Sequence, residues 1–194
     1  MSLTVFLTEE PSAKAFLDAF IPRKYPDWLE GRDFRVIAFS GKSDLMAKIP
    51  AKLRGWSDAR FVILHDKDAN DCLILKQQIR DLCRQNGQPG ALIRIVCREL
   101  ESWYLGDLAA VAQAFNRPQL GQQRQKSKFR QPDDLGNPKQ ELKKILPEYT
   151  QIAGSQRIGL FLSPSPEDNS STSFRVFLSG LDGFIIESPG VHRI

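Results

Sequence analysis

An α/β fold, with a mainly parallel four-stranded sheet and helices on both faces, is the architecture this sequence predicts. Three observations carry that reading. Short apolar runs rich in β-branched and aromatic residues lie at residues 3–7, 34–39, 60–64 and 91–97, each the length of a buried strand. Stretches of helical spacing separate them, so strand and helix alternate. Acidic clusters follow three of the four runs: Glu9-Glu10, then Asp66, Asp68 and Asp71, then Glu99 and Glu101.

The first run leads into Glu9-Glu10-Pro11-Ser12, and Ala15, Phe16, Ala19, Phe20 and Ile21 then recur at helical spacing. Pro11 suits a first helical turn, where its missing N–H leaves nothing unpaired. The second run ends at Ser40-Gly41, and a helix is expected from about Lys42, with Pro50 kinking or splitting it. The third run meets His65-Asp66-Lys67-Asp68-Ala69-Asn70-Asp71, after which Leu73, Leu75, Ile79 and Leu82 mark an amphipathic helix. Asn86-Gly87 and Pro89-Gly90 close that helix. The fourth run passes into Arg98-Glu99-Leu100-Glu101-Ser102-Trp103-Tyr104, whose Trp103 and Tyr104 read as packing residues. Right-handed crossovers distribute the helices over both faces. The strand ends then share one edge, where ligands bind in such sheets.

The pattern changes after about residue 107. Residues 1–107 read as the α/β core and 108–194 as a helical C-terminal extension packed on it in one compact unit. Residues 108–115 are helical. Residues 117–137 are polar, basic and Gln-rich, and read as a long, exposed, mobile loop. Short helices are expected at 138–146, 155–162 and 173–178, with a frayed end at 191–194.

Composition narrows the function classes. The 194 residues are 41% hydrophobic and 26% charged, enough for a sizeable core. The net charge of +4 permits a polyanionic partner without requiring one. No run approaches the roughly 18 apolar residues of a membrane span, and the N-terminus lacks a signal-peptide pattern, so a cytoplasmic protein without a membrane partner is expected. Cys72, Cys83 and Cys97 form no C-x-x-C, which argues against a disulfide scaffold or zinc site. His65 and His192 are the only histidines, too few for a histidine-rich metal site. Ser40-Gly41-Lys42-Ser43 lacks the glycine spacing of a P-loop.

The acidic clusters carry the chemistry. Asp66 and Asp68 form a D-x-D pair at a strand end, with Asp71 one turn on. Hard cations such as Mg²⁺ or Mn²⁺ prefer such oxygen ligands. Carboxylates converging on one edge repel one another, and a bound cation relieves that cost. The candidate metal set is therefore Glu9, Asp66, Asp68, Asp71, Glu99 and Glu101; the bland alternative is a set of solvated loop acids. Arg98 is a candidate for bidentate phosphate contact, or else an ion pair to a nearby acid. Arg124, Lys126, Lys128 and Arg130 form a basic stretch suited to a nucleic-acid backbone, and Phe129 within it to base stacking. Lys139, Lys143 and Lys144 extend it, diluted by Glu141 and Glu148.

Glu9 after the first strand and Asp66-x-Asp68 after the third resemble the Toprim pattern of topoisomerases, bacterial primases and OLD-type nucleases. The stretches HDKDANDC, RELESWYLGD, NPKQELKKI and SFRVFLSGL narrow the resemblance to a Toprim-like bacterial family of unknown function, DUF4276. It covers nearly the whole chain. It implies a Rossmann-like Toprim core in which Glu9 serves acid–base chemistry or metal binding and the Asp pair ligates metal. It also implies a nuclease-like role in phage-defence or restriction-type settings, often beside a partner ATPase; Arg157 and Arg175 lie in the family-like C-terminal segment and are candidates to face the site, or else ordinary surface or ion-paired arginines. One departure stands out. Toprim proteins usually place Gly after that first Glu, where the bare backbone approaches a phosphate; here Glu10 follows, and its carboxylate repels phosphate unless it turns away or a metal intervenes.

The leading expectation is a metal-dependent nucleic-acid phosphodiesterase with Glu9, Asp66 and Asp68 as catalytic residues. The alternative is a non-catalytic module that binds nucleic acid or regulates a partner ATPase. Primase-like nucleotidyl transfer and a receiver-type phosphoacceptor are further alternatives, the latter a poor fit to the acids after the fourth strand.

Overall fold

The computed structural model describes residues 2–67 and 71–186. Asp68, His192 and the end expected to fray at 191–194 lie outside the described residues. Strands β1 (Thr4–Thr8), β2 (Phe34–Ala38), β3 (Arg60–Asp66) and β4 (Leu92–Val96) form one sheet in the order β2-β1-β3-β4. Every pairing is parallel: Thr8 lies beside Ala38 and Leu64, and Asp66 beside Val96. β3 outruns the expected 60–64 because His65 and Asp66 still pair with Ile95 and Val96. Asp66 is thus the last residue of a strand and not the first of a loop.

Alternation along the strands divides the core. Phe6, Val36, Val62, Leu64 and Val96 face one side, with α1 (Pro11–Lys24) and α4 (Glu101–Leu105) packed there. Val5, Leu7, Phe61, Ile63 and Ile93 face the other, covered by α2 (Lys42–Gly55) and α3 (Cys72–Gln85). Pro50 does not split α2; the buried stripe of Leu45, Ile49 and Leu53 seats the helix on the sheet on both sides of it. Burial of an apolar stripe outweighs the few kcal/mol, roughly 3, that an interior proline costs.

Beyond α4 the chain is helical: α5 (Leu108–Phe115), α6 (Gln119–Gln122), α7 (Pro138–Ile145), α8 (Gln151–Gly159) and α9 (Thr172–Ile186). α9 is much longer than the expected 173–178, and α8 starts before 155. Both join the core and do not merely sit beside it. α8 lies so close to α1 that a Cβ on Gly159 would stand 2.7 Å from the Phe16 carbonyl. Phe174 and Phe177 of α9 lie 5.0 and 4.9 Å from the Trp103 ring, whose Nε1 donates to Ser173 Oγ at 2.9 Å. Trp103 and Tyr104 are fully buried, as expected for packing residues.

Short helical elements occupy the stretch at 117–137 where the sequence predicts a long loop. After α6 come single 3-10 turns at Gln123–Gln125, Ser127–Phe129 and Pro132–Asp134. Leu120 and Phe129 anchor the stretch in the core. Widely spaced apolar anchors in a polar segment escape a periodicity search, and that is why the stretch reads as loose.

Candidate functional site

β1 connects through α1 to β2 on one side, whereas β3 lies on its other side. The strand order reverses there, and such a reversal opens a crevice beyond the strand ends. Glu9 and Asp66 stand at that point. Glu9 Oε2 accepts the Asp66 N–H at 3.2 Å and lies 3.1 Å from His65 Nδ1. The same Nδ1 is 2.7 Å from the Asp66 carbonyl oxygen. Glu9 is 8% exposed and His65 1%. The arrangement follows from the parallel register: Thr8 pairs with Leu64, so the next residues out are Glu9 and His65. Both continue the alternation of Leu7 and Ile63 toward the α2–α3 face. Asp66 continues Val62 and Leu64 toward the face that carries α4.

The remaining acids have structural partners. Glu10 precedes α1 and accepts from Ser12 Oγ at 3.3 Å and from Gln151 Nε2 of α8 at 3.4 Å. Glu99 Oε2 accepts the Lys139 N–H at 2.9 Å, capping the first turn of α7. Glu101 is 3% exposed and accepts from Tyr149 Oη at 3.0 Å. Burial is the largest influence on it and pushes its carboxyl above the ordinary value, while the Tyr149 hydroxyl pulls the other way. Burial also lifts the Tyr149 phenol, assisted by the Glu101 charge. Asp71 Oδ1 caps α3, accepting from Leu73 and Ile74 N–H at 2.8 and 3.2 Å. With His65, Lys42 and Ser43, Asp71 also lines a cavity of about 430 Å³.

Among the described residues, no three His, Cys, Asp or Glu side chains group to hold a metal ion. Of the set expected from sequence, Asp71, Glu99 and Glu101 each serve a helix end or a buried tyrosine. Glu9 and Asp66 are left at the switch point. Mg²⁺ is commonly held through one or two carboxylates while it keeps several waters; Glu9 and Asp66 are hard oxygen donors of that kind, but they leave their strands toward opposite faces and meet here through Glu9 Oε2 and the Asp66 N–H, not carboxylate to carboxylate.

The basic residues divide. Arg98 sits in the β4–α4 turn with φ of 66°, an uncommon left-handed conformation for a side chain of its size. Arg124, Arg130 and Arg175 converge on one cavity of about 420 Å³, together with Glu167 and Asp168. Lys126 is exposed, and Lys128 pairs with Glu141 at 2.5 Å. Arg157 lies elsewhere, stacked 4.8 Å over the Phe115 ring. Phe129, expected to stack on a base, is only 2% exposed and belongs to the core; burying the ring gains more than exposing it on a polar surface. Sequence reasoning missed His65, Tyr149 and Gln151 as neighbours of the acids. Period-two alternation would have put residues 9 and 65 on one face.

The sequence matches the family described as domain of unknown function DUF4276 over residues 8–182. No curated protein matches the chain. Among solved structures, the C-terminal region of the Burkholderia pseudomallei OLD protein aligns with a TM-score of 0.56 at 15% identity, covering 94% of this chain and 96% of that one. The C-terminal region of the Xanthomonas campestris pv. campestris OLD protein aligns with a TM-score of 0.56 at 15% identity, covering 96% and 98%. At this identity the likeness concerns the fold, which is the Toprim-like α/β arrangement read from the residues.

Proposed function

The chain belongs to the DUF4276 family, and we propose that it is a metal-dependent phosphodiesterase acting on nucleic acid. The observation that carries the proposal is the meeting of Glu9 with the Asp66 strand end at the switch point, 3.2 Å apart. Glu9 and Asp66, with Asp68 outside the described residues, would hold Mg²⁺ or Mn²⁺. When bound, such an ion activates water and neutralises charge on phosphodiester oxygens. The chain's own groups supply the rest. Glu9 takes up or returns a proton at its carboxylate, and Arg98, at the neighbouring strand end, binds a phosphate oxygen. Glu10, held by Ser12 and Gln151, is kept from crowding a phosphate as a Toprim site would require. Arg124, Arg130 and Arg175 surround a cavity suited to a nucleic-acid backbone. Among the described residues, no helix is long and apolar enough to cross a membrane. A partner ATPase and a phage-defence or restriction-type role follow from the family resemblance and belong to the same proposal.

A second reading, a non-catalytic regulatory module, is favoured by the lack of a third metal-binding side chain among the described residues. Cleavage of a DNA and RNA panel with Mg²⁺ or Mn²⁺, comparing the native chain with Asp66→Ala, separates the two. Metal-dependent cleavage that Asp66→Ala abolishes supports the phosphodiesterase. Metal binding without cleavage in the native chain supports the regulatory module.

A further inference from the structure

We propose that His65 is a positioning residue for Glu9, rigidly orienting its carboxylate toward the switch point; this rests on the reading of Glu9 as a metal-site residue. The ring is 1% exposed, yet its polar edge is not turned to water. Its Nδ1 faces two oxygens, Glu9 Oε2 at 3.1 Å and the Asp66 carbonyl at 2.7 Å. An ionised carboxylate and a carbonyl can only accept. Nδ1 is therefore the ring nitrogen that donates here. The one Nδ1–H is shared between them: the Asp66 carbonyl takes the shorter contact and fixes the ring plane, and Glu9 Oε2 takes the longer.

Glu9 Oε2 thereby receives donors from two directions, the Asp66 N–H at 3.2 Å and His65. Two convergent donors on one oxygen select a single carboxylate rotamer, where a Glu just past a strand end otherwise samples several. The local fold makes this possible. His65 still pairs with Ile95 in the sheet, so its backbone is held by the ladder. Phe61 and Ile63 precede it on the same apolar face, and the ring lines the cavity with Lys42 and Ser43. A residue that only filled space here would be apolar like its neighbours. Partners that orient metal-binding carboxylates typically contribute about 10- to 100-fold in metal affinity or activity.

The test uses the full chain and two kinds of readout. Nitrogen NMR of the imidazole is expected to show an Nδ1-protonated ring whose signal moves in Glu9→Gln. Mn²⁺ titration followed by electron paramagnetic resonance is expected to show affinity falling about 10- to 100-fold in His65→Gln and His65→Ala. His65→Asn should retain most of it, because the Asn amide nitrogen stands near the Nδ1 position whereas the Gln amide stands near Nε2. Comparing Asn with Gln also controls for folding, since both place an amide in the same buried slot. Equal Mn²⁺ affinity in the Asn and Gln variants overturns the proposal, as does an Nε2-protonated ring alongside intact Mn²⁺ binding. A native chain that neither binds Mn²⁺ nor cleaves nucleic acid overturns the metal reading itself, and the positioning role with it.

Discussion

Tyr149→Phe removes one hydroxyl and leaves the ring in place, so it probes the buried acid beside the site together with the longer contact of that hydroxyl to Ser155 Oγ at 3.3 Å. Tyr149 Oη donates to Glu101 at 3.0 Å, with Glu101 3% and Tyr149 2% exposed. A hydrogen bond to a charged partner contributes about 1.5–3 kcal/mol, and one between neutral groups about 0.5–1.5 kcal/mol. Which figure applies depends on pH. Burial raises the Glu101 carboxyl above its unfolded value of 4.5, so the folded chain keeps that proton to higher pH than the unfolded one. Over the interval between the two values the folded state binds more protons, and stability falls as pH rises. The Tyr149 hydroxyl opposes the shift, so its removal raises the folded value further and widens the interval. Compared at pH 4 and pH 8, the loss in Tyr149→Phe should therefore grow as the Glu101 carboxyl ionises, from about 0.5–1.5 kcal/mol for the neutral bond toward about 1.5–3 kcal/mol for the charged one. Urea unfolding of both proteins at the two pH values measures it. A loss equal at both, or larger at pH 4, refutes the ionised buried pair.

Further outcomes follow from the same geometry. Phe129→Ala should cost roughly 3–5 kcal/mol, as truncation of a core aromatic does; calorimetry should show a clear fall in Tm, whereas a base-stacking role would lower nucleic-acid affinity and leave Tm unchanged. Gly159→Ala should destabilise the chain by roughly 1–3 kcal/mol, because the added methyl meets the Phe16 carbonyl at 2.7 Å; denaturant titration reads this. Arg130→Ala should weaken nucleic-acid binding uniformly across sequences and reduce the slope of log K against log salt by about 1. An unchanged slope would remove Arg130 from the backbone contact.

Much of the fold was legible in the residues because its signals are local. Apolar runs bounded by turn residues mark the strands, and four strands alternating with helices leave a parallel sheet as the economical solution. From there it followed that acids after the strands share an edge, and Glu9 and Asp66 do meet at one end of the sheet. The helical third was less legible. Residues 117–137 carry Leu120, Phe129 and Pro132 as widely spaced buried residues among charged and amide neighbours, too sparse a pattern to register as periodicity. α9 continues past Leu178 because Leu181 still reaches the core, a contact that exists only once the sheet is built.

The sequence by itself determined the element order, the parallel sheet and the edge on which the carboxylates lie, because strand polarity and side-chain alternation are properties of consecutive residues. Only the tertiary structure decided which partners the carboxylates after the fourth strand take. Glu99 and Glu101 follow a strand as surely as Glu9 does, yet the α7 N-terminus claims one and the Tyr149 hydroxyl the other. Those partners lie 40 and 48 residues away in the chain, and hydrogen bonding at short range depends on where packing brings them, which no local pattern encodes.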